Sequence, residues 1–153
     1  MDHCIDCFAV GRCPCIFSSQ KKKPFLADPN YLNYKGFAVC DEAENGIQLW
    51  YLPFAADAAK PCFKDCARHP HVEDSGYELF YTNQCPFTAK YVPVVEATAK
   101  EQGVPFKSVH LERREAARSA PTPITTYALF CDGKYLTNEI MNDAKFLKLL
   151  AGK

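Results

Sequence analysis

The sequence carries no excess of charge. Lysine plus arginine equals aspartate plus glutamate at 18 each. That balance removes the general electrostatic reason to expect a nucleic-acid or membrane partner. No apolar run approaches the roughly 20 residues that span a bilayer. The opening "MDHCIDC" puts acid and histidine where a secretory signal has a basic and then an apolar region. The expected compartment is therefore the cytoplasm. There is no internal repeat and no low-complexity tract. What is present is 48% apolar against 24% charged residues in 153 positions. That is a globular balance, and the length suits one ordinary domain or two small ones.

Cysteine is the residue in surplus. There are nine, an odd number that cannot all pair within one chain. In a reducing compartment most of them are expected as small buried hydrophobes, with a minority as ligands or nucleophiles. Cys4, Cys7, Cys13 and Cys15 have C-x2-C-x5-C-x-C spacing. Four thiolates can hold zinc, but a single residue separates the second pair, and unpaired reduced thiols are the favoured reading. Cys62, Cys66, His69 and His71 form C-x3-C-x2-H-x-H. Cys62 and Cys66 would share a helix face if a helix forms there, yet a polar linker is the simpler reading. No metal is expected. The lysines 21–23 and Arg113-Arg114 read as solvated charge, and Trp50 as core.

Local signals divide the chain. Residues 2–10 suggest a short helix, and "CIFSS" (15–19) a strand. Asp28 followed by Pro29 marks a helix start, because proline lacks only an N–H that is unpaired there anyway. Gly36 suits that helix's end. Residues 36–54 read as a hairpin turning at Asn45-Gly46, with positive φ expected at both. From about 55 to 76 the pattern weakens and reads as a linker.

A second periodic region follows. Residues 77–81 are a strand. Phe87, Tyr91, Val95 and Ala99 recur every four residues and predict a helix over 86–102. Residues 105–111 form a strand, 113–119 a short helix, and 123–130 a strand turned at Asp132-Gly133 into an edge strand. Asn142 caps a last helix with Phe146, Leu147 and Leu150 on its apolar side. The order is β-α-β-α-β-β-α, the thioredoxin-like layout.

In that layout the site lies where the first strand meets the first helix. Here the point is Cys85-Pro86-Phe87-Thr88. A cysteine at a helix N-terminus faces unpaired N–H groups and the positive end of the dipole, which favour a thiolate. Thioredoxins place a kinking proline eight residues after the first cysteine, and Pro93 stands eight residues after Cys85. "APTPITTYALF" resembles the segment that carries the fold's cis-proline, which would be Pro123. The second cysteine position holds Thr88, as in monothiol glutaredoxins. One thiol can form a mixed disulfide but needs an external thiol to resolve it. Cys85 is thus either a reactive thiol or an inert relic of the motif.

Three stretches, "YTNQCPFTAKYVPV", "EAARSAPTPITTYALFCDGKYLTNEIM" and "KFLKLL", resemble the YoaP-type C-terminal domain. In that family the domain follows a GNAT-type N-acetyltransferase domain. Residues 17–54 resemble that domain's C-terminal half: a strand, a helix ending in Gly-Phe, then a hairpin. "KPCFKDCARHP" resembles the bridge. The resemblance implies an α/β (α+β) chain, with a partial GNAT-type sheet over 1–70 and a YoaP-like thioredoxin-fold domain over 76–153. GNAT enzymes hold the acetyl-CoA pyrophosphate on an Arg/Gln-x-x-Gly-x-Gly/Ala turn, and no such motif occurs in these 153 residues. Many also place a tyrosine acid four residues before the Gly of Gly-Phe; here that position is Leu32, between Tyr31 and Tyr34. The resemblance therefore implies a truncated acetyltransferase, inactive as this chain alone. Acetyl-CoA would belong only to a longer family member. The alternative is a monothiol redox or binding module acting through Cys85. A small-molecule thiol or an acyl acceptor is the implied partner. Self-association is expected through the incomplete N-terminal sheet.

Overall fold

The computed structural model describes residues 5–6, 15–20, 26–55 and 59–152. Cys4, Cys7, Cys13 and the lysines 21–23 lie outside them. The chain divides into two compact units, Met1–Pro70 with Arg118–Pro123, and His71–Ala117 with Ile124–Lys153. Both contain helices and strands, so the chain is α/β in class.

The first unit contains β1 (Ile5–Asp6), β2 (Cys15–Ser19), α1 (Pro29–Tyr34), β3 (Ala38–Glu42), β4 (Ile47–Tyr51), β5 (Cys62–Phe63) and α2 (Asp65–Arg68). β2, β4 and β3 form an antiparallel sheet in that order. α1 starts as its sequence predicts. Asp28 caps it by accepting from the Asn30 N–H at 2.9 Å, and Pro29 takes the first position. Gly36, at φ +84°, reverses the chain after it. Leu32 is buried at 1% exposure, and Ile47 and Leu49 on β4 are fully buried.

Two expectations for this unit fail. At residues 5–6 the chain is a strand rather than helix, since it pairs antiparallel with β5; partner backbone overrides local preference. The 45–46 turn is also different. Gly46 has positive φ but Asn45 does not. The Gly46 N–H donates to Ala43 O and the Ala43 N–H to Ile47 O, both at 2.9 Å. That is a three-residue loop ending in a left-handed glycine, the next commonest hairpin closure.

The presumed linker is partly structured too. β5 and α2 occupy it, and Phe63 and Ala67 are buried. One carboxylate holds them. Asp41 Oδ2 on β3 accepts from the Phe63 N–H at 2.7 Å and from Arg68 Nη2 at 2.8 Å. Its Oδ1 accepts from the Glu42 N–H at 2.9 Å. Burial pushes the Asp41 pKa up, but these donors outweigh it and leave it below the usual carboxylate value.

The second unit contains β6 (Tyr77–Tyr81), α3 (Pro86–Glu101), β7 (Phe106–His110), α4 (Arg114–Arg118, whose last residue groups with the first unit), β8 (Tyr127–Cys131), β9 (Lys134–Thr137) and α5 (Asp143–Ala151). The sheet order is β7-β6-β8-β9, with β6 and β7 parallel and the other pairs antiparallel. Tyr77 and Leu79 on β6, Val92, Val95 and Ala99 on α3, and Phe146 on α5 share one core. Phe146 meets Tyr77 and Phe106 edge-on, at 5.5 and 5.7 Å between centroids. Ala128 and Phe130 face the other side of the sheet with Val72. The Asp132-Gly133 turn has positive φ at both residues, +48° and +82°, as a two-residue hairpin loop requires. Asn142 caps α5 by accepting from the Lys145 N–H at 2.9 Å.

The apolar side of α5 differs in part from that predicted, and α3 buries a mixed set of residues. On α3 the buried positions are Thr88, Val92, Val95, Thr98 and Ala99. Phe87 is 57% exposed and stacks on Tyr91 outside the core. On α5, Leu147 is 40% exposed, while Leu149 and Leu150 pack against the core. β8 begins at Tyr127 rather than at Pro123, which has no N–H to give a ladder.

Candidate functional site

Tyr81 ends β6, and four residues later Cys85 becomes the N-cap of α3. The backbone there is extended, with φ −114° and ψ 126°. Pro86 at the first helical position fixes the entry angle and supplies no N–H. The Thr88 N–H donates to the Cys85 carbonyl at 3.0 Å. Of the first three helical positions, only Phe87 therefore keeps an uncommitted N–H. The Cys85 side chain makes no cap hydrogen bond and its thiol is free and partly exposed.

Thr88 explains the loop's shape. It is fully buried. Its hydroxyl faces the carbonyls of Thr82, at 2.7 Å, and of Cys85, at 2.6 Å. One hydroxyl hydrogen serves both acceptors, so the residue in the second cysteine position is an internal fastener. Sequence analysis identified its place but not this bond, since the acceptor at Thr82 is set by the loop's path.

Beside this loop lies a group that sequence analysis missed. In the parallel register Tyr81 stands next to His110, and their rings stack at 4.7 Å and 10°. His110 Nδ1 lies 3.2 Å from Glu112 Oε1. Burial, then the charges of Glu96 and Glu112, push the Tyr81 hydroxyl above its usual value. The carboxyl ends of parallel strands gather such groups; the signal available in advance was His110 and Glu112 two residues apart at the end of the strand.

Pro123 is buried but does not behave as expected. No cis peptide bond occurs among the described residues, so the Thr122–Pro123 bond is trans, the isomer that X–Pro bonds favour by about 0.5–1 kcal/mol. Pro123 also groups with the first unit, whereas Cys85, Pro86, Phe87 and Thr88 lie in the second. Cys85, Pro86, Phe87 and Thr88 form one contiguous turn at the start of α3.

The metal-ligand candidates do not converge. Cys62 is on β5 and Cys66 on α2, so they share no helix face. His69 pairs with Glu44 at 2.8 Å. Among the described residues no cluster of metal-ligating side chains occurs. A phosphate cradle needs free N–H groups at a helix start. At α1 the Asp28 carboxylate and Pro29 already occupy that end. Leu32, in the place of the family's tyrosine acid, is in the core.

A sequence profile described as YoaP-like matches residues 105–148. The uncharacterized N-acetyltransferase YoaP of Bacillus subtilis (strain 168) is 36% identical over 152 residues, which is 98% of this chain and 61% of that protein. The chain thus spans about three-fifths of that relative's length. No solved structure matches it. No helix among the described residues is long and apolar enough to cross a membrane. With identity spread along nearly its whole length and the profile match falling mostly in its second unit, the chain is similar to the YoaP-type acetyltransferase family.

Proposed function

We propose that this chain takes part in N-acetyl transfer as the C-terminal half of a GNAT-type domain joined to a thioredoxin-like domain, and that it does not hold acetyl-CoA by itself. The observation that carries the reading is the first unit's strand–helix–hairpin, β2-α1-β3-β4, in a chain related to YoaP along 98% of its length. The capped start of α1 and the buried Leu32 support the second clause. Calorimetric titration with acetyl-CoA should give no micromolar binding. Co-expression with the part of YoaP that this chain does not cover should restore it. Micromolar affinity of the chain alone would overturn the proposal.

A second reading rests on Cys85. A free, partly exposed thiol at a helix N-cap, at the end of the parallel strand pair, supports a monothiol exchange site in the β-α-β-α-β-β-α unit. The thiolate would attack one sulfur of a disulfide, forming the Cys85 mixed disulfide and releasing the other sulfur as thiolate. An external thiol such as glutathione would then regenerate Cys85. Alkylation with mass counting in wild type and Cys85→Ser tests this. Cys85 should react faster than the other cysteines below pH 8; equal rates would discard the reading.

A further inference from the structure

β7 ends its sheet, and among the described residues nothing pairs with its outer side. The opposite end is different. At β9, Lys134 forms a bridge with His71, and the Val72 N–H donates to the Gly133 carbonyl at 3.1 Å. One edge is covered and the other is open.

The open edge has a definite hydrogen-bonding face. The Tyr77 N–H donates to Pro105 O at 2.9 Å, and the Leu111 N–H to Tyr81 O at 2.8 Å. With the parallel register between them, residues 105, 107, 109 and 111 turn their backbone groups toward β6. Phe106, Ser108 and His110 turn theirs outward, where the His110 carbonyl accepts from the Glu112 N–H at 3.1 Å and keeps its second lone pair for a further donor. Such an edge is a template for another strand. The usual protection by charge is lacking, because Lys107 is drawn aside into ion pairs with Asp74 at 2.6 Å and Glu78 at 3.0 Å.

The surroundings are self-complementary. A cavity of about 430 Å³ lined by Glu96, Lys100, Val104, Phe106 and Ser108 flanks β7 where it faces α3. Lys100 is exposed and makes no ion pair among the described residues. It sits toward the Phe106 end. Glu112, largely exposed beside His110, marks the other end. Reversing the strand about its middle residue brings the basic end against the acidic end.

We propose that two copies of this chain associate by antiparallel pairing of β7 with β7, about a two-fold axis through Ser108. Ser108 then exchanges main-chain hydrogen bonds with the second copy's Ser108, and Phe106 does so with the second copy's His110. Lys100 of each copy faces the second copy's Glu112. The interface is isologous, so it closes at a dimer. It uses the sheet of the second unit, not the incomplete sheet of the first.

Sedimentation velocity over a concentration series, on the full chain, tests this. The wild type should shift from monomer to dimer. Ser108→Pro deletes an outward N–H and no bond to β6, a change that edge strands tolerate; it should leave the circular dichroism spectrum intact and the protein monomeric. If that variant does not fold, Lys100→Glu carries the test. It should weaken dimerisation about tenfold, since the two-fold repeats each altered pair. Lys100→Glu with Glu112→Lys should recover the loss. A wild type that stays monomeric to its solubility limit overturns the proposal. So does a dimer unchanged in both Ser108→Pro and Lys100→Glu, which would place the contact elsewhere.

Discussion

The two units solve the same problem differently. The second encloses its core between a four-stranded sheet and α3 with α5, and the contacts are almost wholly apolar. The first has a three-stranded sheet and one six-residue helix. It attaches β5 and α2 to that sheet through a carboxylate, Asp41, with three donors. Stability of the second unit should respond to volume and that of the first to charge. Trp50, the single tryptophan, lies on β4 of the first unit, so its fluorescence reports that unit's transition.

The largest expected effect is in the apolar core. Phe146→Ala removes a fully buried ring and should cost about 3–5 kcal/mol. Denaturant unfolding followed by far-ultraviolet circular dichroism should show the loss, while Trp50 fluorescence keeps its own midpoint. Equal shifts in both signals would erase the distinction between the units.

Asp41→Ala should come next, and should show in Trp50 fluorescence. It leaves the Phe63 N–H without its carboxylate, at about 1–3 kcal/mol. Titration sharpens the point. The Asp41 pKa is lowered in the fold from its ordinary 3.8. Its contribution is therefore fully present above 3.8 and is lost as pH falls through the lower folded value. The Asp41→Ala chain should lack that part of the acid dependence. An unchanged acid profile would remove Asp41 from the account.

Thr88→Val should cost about 1–2 kcal/mol, because two carbonyls lose their shared donor while volume is kept. Amide exchange at residues 83–88 should speed up more than at β8. The smallest effect should be Asn142→Ala, about 1 kcal/mol for a lost helix cap, seen as a modest drop in the second unit's midpoint.

Elements set by neighbouring residues were legible in the sequence. Asp28-Pro29, Cys85-Pro86, Asp132-Gly133 and Asn142 each fix a start or a turn through bonds spanning a few positions. What was not legible depended on distant partners. β5 looked like linker because it is held by Asp41, 22 residues away, and by β1, further still. The burial of Thr88 on α3 was not legible, because this polar residue is held by its bond to Thr82, whereas the apolar Phe87 finds a ring partner outside. At the candidate site, Cys85 to Thr88 could be read directly. The Tyr81–His110 stack could not, because it exists only once two strands lie parallel.

Thr88 also has a mechanical consequence. Its hydroxyl joins the end of the loop to the start of the helix on both sides of the thiol. The end of the loop and the first turn of the helix are therefore tied to one another around Cys85. The chain path at the thiol is thus set by a side chain three residues on, and a change at Thr88 reaches the backbone that carries Cys85.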